Sequence, residues 1–177
     1  MGTEMADDTE KLRFENIFGA MSLALVDKLE RAYEADIGLG PSSVAALIQI
    51  GAGAGITIET LRRIIGLSHS ASVRLIDQLE AAGLVLRSEP VDGDRRAKAL
   101  KLTEAGRALY GRCKEARRGV TERAFAVLDP DEMRLFGRLA EKVLPALVDL
   151  GADQDVVCRI CDESVCVRAR CPISHMK

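Results

Sequence analysis

The sequence predicts a mainly α-helical protein with one small β-hairpin. Three observations carry this. Apolar residues recur at three- and four-residue steps in long stretches near both ends of the 177-residue chain. Two short helical patterns meet at Gly66-Leu67 in the middle. Directly after them, two strand-like runs flank a turn at Asp92-Gly93.

The elements follow in order. Leu12, Ile17, Phe18, Met21, Leu25, Leu29 and Ala32 line one face of a long amphipathic helix. The stretch 38–42, GLGPS, breaks it, and a short apolar helix follows over Ser42–Gly51. Gly51, Gly53 and Gly55 mark a turn. Residues 57–66 form a helix with Leu61, Ile64 and Ile65 inward. Ser68 caps a second helix running to about Ala82, with Leu75, Ile76, Leu79 and Ala82 on its buried face. Gly83 ends it, and residues 84–90 and 97–103 read as strands. A helical stretch covers Glu104–Leu128. Asp129, Pro130 and Glu132 restart the helix as cap, first-turn proline and capping-box partner. Leu135, Phe136, Leu139, Val143, Leu144, Leu147 and Val148 continue it, interrupted by Pro145, which should kink or weaken the helix.

Composition narrows the function. The net charge is −2, but the distribution is uneven: −5 over residues 1–58 and +2 over 59–107. A nucleic-acid partner would have to meet the middle of the chain. Aromatics are only 3%, without Trp, a poor supply for stacking single-stranded bases. Two His cannot build a multi-His zinc centre. No nucleophile elbow, phosphate loop, HExxH or dinucleotide-binding turn is present, so an enzyme is not expected. No run is long enough to span a membrane. The opening MGTEMADDTEK lacks the basic and apolar regions of a signal peptide, which predicts a cytoplasmic protein.

The central region reads as a reader of double-stranded DNA. Two short helices joined by a Gly-containing turn make a helix-turn-helix, whose second helix enters a major groove N-terminus first. His69, Ser70, Val73, Arg74 and Asp77 share one face of that helix. Arg74 reaches guanine acceptors or a phosphate, Ser70 and His69 offer adaptable hydrogen bonds, and Val73 meets a thymine methyl. The hairpin then forms a wing. Arg95 and Arg96 at its tip suit the negative potential of a narrow minor groove, and Asp94 can hold an Arg extended. Arg87, Lys98 and Lys101 can meet flanking phosphates. The bland alternative is a capped helix start and a solvated hairpin.

The run IETLRRIIGLSHSASVRLIDQLEAAGLVLRSEPVDGDRRAKALKLTEAGRALY resembles the winged helix-turn-helix core of the MarR (multiple antibiotic resistance regulator) family. The specific elements are RLIDQLEAAGLV, the wing's Asp94-Arg95-Arg96, and LTEAGRAL at 102–109. The flanking helices extend the likeness over residues 10–150. The resemblance implies a triangular homodimer with interlocked terminal helices, a palindromic operator, and repression relieved by a ligand or by oxidation. It implies recognition-helix contacts at His69, Ser70, Val73 and Arg74, and a minor-groove contact at Arg96 paired with Asp94. Many members carry a β-branched apolar residue on this helix where the present chain has Ser72 beside Val73, so the contact set can be offset by one position.

Four regions are therefore expected: a dimerisation helix over 1–40, a winged helix-turn-helix over 41–103, dimerisation helices over 104–150 and a cysteine-rich tail over 151–177. The apolar stripes at both ends are long for the middle to cover, which favours a homodimer over a monomeric bundle. In the tail, Cys158, Cys161, Cys166 and Cys171 are spaced C-x2-C-x4-C-x4-C, with a spacing similar to the zinc knuckle. Four thiolates suit structural zinc. An iron–sulfur cluster, for which Cys171-Pro172 speaks, and reversible disulfides are the alternatives. His175 is a substitute ligand in principle, and Cys113 reads as a small packing residue. The competing function is a metal-binding interaction module or redox scaffold for which DNA is incidental.

Overall fold

The computed structural model describes residues 2–53, 55–90, 98–148, 154–166 and 168–173. Seven helices and one hairpin are seen among them. They are α1 (Gly2–Ile37), α2 (Pro41–Ala52), α3 (Ile58–Ile65), α4 (His69–Ala81), β1 (Val85–Pro90), β2 (Lys98–Leu102), α5 (Glu104–Phe125), α6 (Pro130–Val143) and α7 (Gln154–Val157). Short 3-10 turns cover Leu144–Leu147 and Arg168–Arg170. No described helix is long and apolar enough to cross a membrane.

The central helices obey their local chemistry. Thr57 caps α3 by accepting from the Thr60 amide at 3.2 Å. Gly66 closes α3 at φ 70°, a left-handed conformation that glycine adopts without steric cost. Ser68 opens α4 by accepting from the Ala71 amide at 3.2 Å. Antiparallel β1 and β2 pair Val85 with Leu102 and Arg87 with Leu100, and the register shifts between Arg87 and Pro90. A bridge from Thr57 to Ala99 adds a third short edge to the sheet.

One core joins these elements. Val44, Leu47, Ile48, Leu61, Ile76, Val85 and Leu100 are almost fully buried in it. α1 and α2 both pack on α5, and α3 packs on α4. The start of α5 is locked to the end of α4. Thr103 donates its hydroxyl to the Gly83 carbonyl at 2.6 Å, and its amide donates to the Leu84 carbonyl at 3.0 Å. Gly106 sits so close beneath that carbonyl that a Cβ would lie 2.0 Å from the oxygen, so only glycine fits.

Pro145 interrupts the last helix as expected: α6 stops at Val143 and tightens into the 3-10 turn. The other helical periods, caps and strands appear where the sequence places them, with three differences. α1 begins at Gly2, well before the apolar stripe starts at Leu12. α5 ends at Phe125, three residues short of Leu128. Ala82 is exposed and not part of the buried face, because α4 ends at Ala81 and the chain turns away there.

The two ends of the chain leave large apolar surfaces open. On α1, Leu12, Ile17, Phe18, Met21 and Leu25 are all exposed, and burial begins only at Leu29. On α6 no residue is buried, and Leu135 and Leu139 are about half exposed, at 49% and 52%. Phe136 makes one ring contact, with Phe125 at 5.5 Å. Single exposed apolar residues are ordinary, but periodic stripes of this length mark interaction surfaces.

Candidate nucleic-acid interface

The first turn of α4 projects from the body. His69, Ser70 and Arg74 are exposed, and Val73 is half-buried beside them. Ser70 Oγ lies 3.3 Å from the capping Ser68 Oγ. The opposite face, Ser72, Leu75, Ile76 and Leu79, is buried. Ser72 Oγ is enclosed without a hydrogen-bond partner. Ser72 therefore belongs to the inner face, and the outward set is the one numbered from His69. Free amides and the helix dipole add positive potential at this end of α4.

The wing is tied to α4 by Arg87 on β1. Its guanidinium donates to Asp77 Oδ1 at 2.5 Å and also to Glu80 Oε2, while its amide donates to Glu80 Oε1 at 3.4 Å. Arg87 is thus half-buried between two carboxylates of α4. It braces the hairpin against the reading helix and neutralises acidic groups beside it. Residue spacing carries no sign of this bridge, since Asp77, Glu80 and Arg87 meet only once strand and helix are packed. Arg87→Ala is expected to lower stability by about 1 kcal/mol, as partly exposed ion pairs do. Arg87→Lys should recover only part, because an ammonium cannot fork between two carboxylates. A urea titration measures both, and an unchanged midpoint in Arg87→Ala would remove the brace.

Lys98 and Lys101 are exposed along β2. Lys101, Arg107 and Leu86 border a 630 Å³ cleft between the hairpin and α2. Asp94, Arg95 and Arg96, expected at the wing tip, lie outside the described residues.

The cysteine tail lies against the body of the protein. Ile160 packs on the core, and Ile173 is fully buried. Gln49, buried on α2, donates Nε2 to the Cys158 carbonyl at 3.5 Å. Lys114 of α5 pairs with Asp162 at 3.4 Å and lies 4.8 Å from the Tyr110 ring centre. Sequence spacing could not reveal Gln49 or Lys114 as tail contacts, because they stand 109 and 48 residues away from their partners. The Ser164 hydroxyl, with help from the Ser164 amide and Lys114, holds the Asp162 carboxyl below its ordinary range.

All five cysteines are free thiols. Burial, and then the neighbouring thiols of Cys161 and Cys171, push Cys158 up to about 12. Burial and the nearby Cys171 and Cys161 raise Cys166 as well, against an opposing pull from Arg117. The four tail sulfurs are thus neighbours. Among the described residues, however, no three His, Cys, Asp or Glu side chains stand at ready-made metal spacing. His175 lies outside the described residues. Cys113 is fully buried in the core, where burial pushes its thiol up to about 11.

Residues 37–97 match a family model described as MarR family. That segment runs from the end of α1 through α4 and β1. About three quarters of the chain also superposes on solved structures. YusO from Bacillus subtilis matches with a TM-score of 0.67 and 19% identity, covering 78% of this chain and 97% of its own. This is the MarR-type winged-helix fold. Wild-type MarR from E. coli, in its apo form, matches at 0.59 and 25% identity, covering 72% of this chain and 96% of its own. A Mycobacterium tuberculosis MarR family protein, Rv2887, solved in complex with DNA, matches at 0.59 and 23%, covering 73% and 95%. These MarR-type proteins are covered almost whole, while about a quarter of the present chain has no counterpart in them.

Proposed function

We propose that the protein is a sequence-specific, double-stranded DNA-binding transcriptional regulator, a repressor that acts as a homodimer on a palindromic operator. The observation that carries this reading is the two-sided character of α4. His69, Ser70 and Arg74 face solvent beside half-buried Val73, while Ser72, Leu75, Ile76 and Leu79 anchor the helix. A polar face on a rigidly seated helix is what base-edge recognition in a major groove requires. Arg95 and Arg96 follow the phosphate backbone into the minor groove, with Asp94 orienting one of them. Lys98 and Lys101 take flanking phosphates, and Arg87 serves chiefly as the brace between wing and helix. That the similar Rv2887 was solved in complex with DNA supports a DNA partner.

The exposed stripes of α1 and α6 support the dimer, because a second copy covers both at once. The protein acts by binding and needs no catalytic step. Control enters through a small ligand or through the cysteine tail. A 220 Å³ cavity lined by Leu29, Tyr33, Ala45 and Arg159 supports a ligand, and the Tyr33 hydroxyl is buried without a partner.

The test is a fluorescence-anisotropy titration with DNA from upstream of the protein's own coding sequence, against a scrambled duplex. Tighter binding to the former is expected. Its logarithmic salt slope should steepen by about 0.9 for each phosphate contacted. Equal binding to both duplexes would favour the scaffold reading, and no binding would defeat the regulator reading.

A further inference from the structure

The tail has too little apolar material to fold by itself. Ile173 is its one fully buried described residue, Ile160 is half-buried, and Val165 is 79% exposed. Segments this short need a cross-link or a metal to hold a defined shape. Yet this segment is shaped. The Cys161 amide donates to the Cys158 carbonyl at 2.8 Å, closing a tight turn between the first two cysteines. Asp162 then organises a second turn. Its carboxylate accepts from the Ser164 amide at 3.1 Å and hydroxyl at 2.6 Å, and its carbonyl accepts from the Cys166 amide at 2.9 Å. The Arg168–Arg170 turn returns the chain to Cys171, whose thiol lies beside those of Cys158 and Cys166. Two turns and a return thus carry four cysteines, none of them in a disulfide, and four thiolates are a donor set that suits a tetrahedral zinc-class ion.

We propose that Cys158, Cys161, Cys166 and Cys171 bind one zinc-class divalent cation, and that the loaded knuckle clasps α2 to α5 behind the reading helix. Binding converts four thiols to thiolates and releases four protons, leaving a centre of net charge −2. Lys114 places a cation beside the tail at Asp162. Binding also draws the sulfurs from neighbours into a closed tetrahedron, since no ready-made ligand set is present among the described residues.

The clasp has defined points of attachment. Gln49 holds the Cys158 carbonyl from α2, Lys114 holds Asp162 from α5, and Ile160 fills the space beside the core. α7 packs on α3, the first helix of the reading pair. Arg159 and Ile160 line the cavity beside Tyr33, so the same clasp forms part of that cavity's wall. Loss of the ion frees the tail. The body must then pay the ordering cost when it binds DNA, which weakens the metal-free protein. This regulatory step rests on the DNA-binding reading; the metal site itself does not.

The full chain, purified free of metal without air, is titrated with cobalt(II). One equivalent should produce the visible bands of tetrahedral thiolate cobalt, and one equivalent of zinc should abolish them. Cys161→Ser and Cys171→Ser should lose the bands while keeping the helical circular dichroism of the parent. A folded parent without those bands, a protein that is isolated brown with iron, or thiols that pair as disulfides without holding metal would each overturn the site. For the clasp, Lys114→Ala should keep the cobalt bands but lose the metal-dependent protection of residues 154–166 from hydrogen exchange. Protection equal to the parent would overturn the attachment. Zinc loading should tighten binding to upstream DNA about tenfold, within the usual range of coupling between sites. Equal DNA affinity with and without zinc would overturn the coupling. Cobalt binding in a protein that ignores DNA in both states would leave the site standing and defeat the regulator reading instead.

Discussion

Leu135→Asp combined with Leu139→Asp is expected to turn the proposed homodimer into a monomer. The two leucines stand one turn apart on α6, about half exposed in the single chain, on a helix that buries no residue. A two-fold axis doubles each substitution, so four leucine side chains leave the interface. Burial of a leucine contributes about 1.5–3 kcal/mol, and a carboxylate in its place adds a desolvation cost. The dimer should weaken by at least about a thousandfold. The fold of each chain should survive, because the core around Leu47, Ile76 and Leu100 lies elsewhere. Sedimentation velocity measures this directly. A variant that sediments like the parent would mean that α6 faces something other than a second copy.

Arg74→Ala is expected to abolish sequence preference with little effect on stability. The side chain is exposed on α4, so its removal leaves no cavity. A guanidinium forked to guanine contributes about 1–3 kcal/mol of discrimination, and a palindrome uses it twice. The loss should therefore reach about a hundredfold on the operator, with a much smaller loss on scrambled DNA. Arg74→Lys should not restore the preference, because lysine lacks the planar fork. An equal loss on both duplexes would make Arg74 a phosphate contact. Arg96→Ala on the wing should weaken operator binding and leave the dimer intact.

The sequence was most legible where one periodic rule applies. Leu75, Ile76 and Leu79 share a helical face, and the same spacing includes Ser72, which is buried despite its hydroxyl. The caps at Ser68 and Asp129 were equally plain, because each is a local bond between neighbours. The start of α1 was not, since the polar stretch before Leu12 carries no apolar period. Ala82 went astray because a single position past the end of a helix loses its face. The Arg87 bridge and the docking of the tail depend on packing between distant segments. Nothing in the spacing of Gln49, Lys114 and Asp162 foretells that they meet. The four cysteines announced chemistry, while the place where they sit had to come from the fold.

The most direct measurement is a hydroxyl-radical footprint on upstream DNA, made with the parent and with Arg74→Ala. Two reading helices on one dimer predict two symmetric protected patches, centred about one helical turn or a multiple of it apart, and both should fade in the variant. A single patch, or uniform protection indifferent to Arg74, would contradict the account.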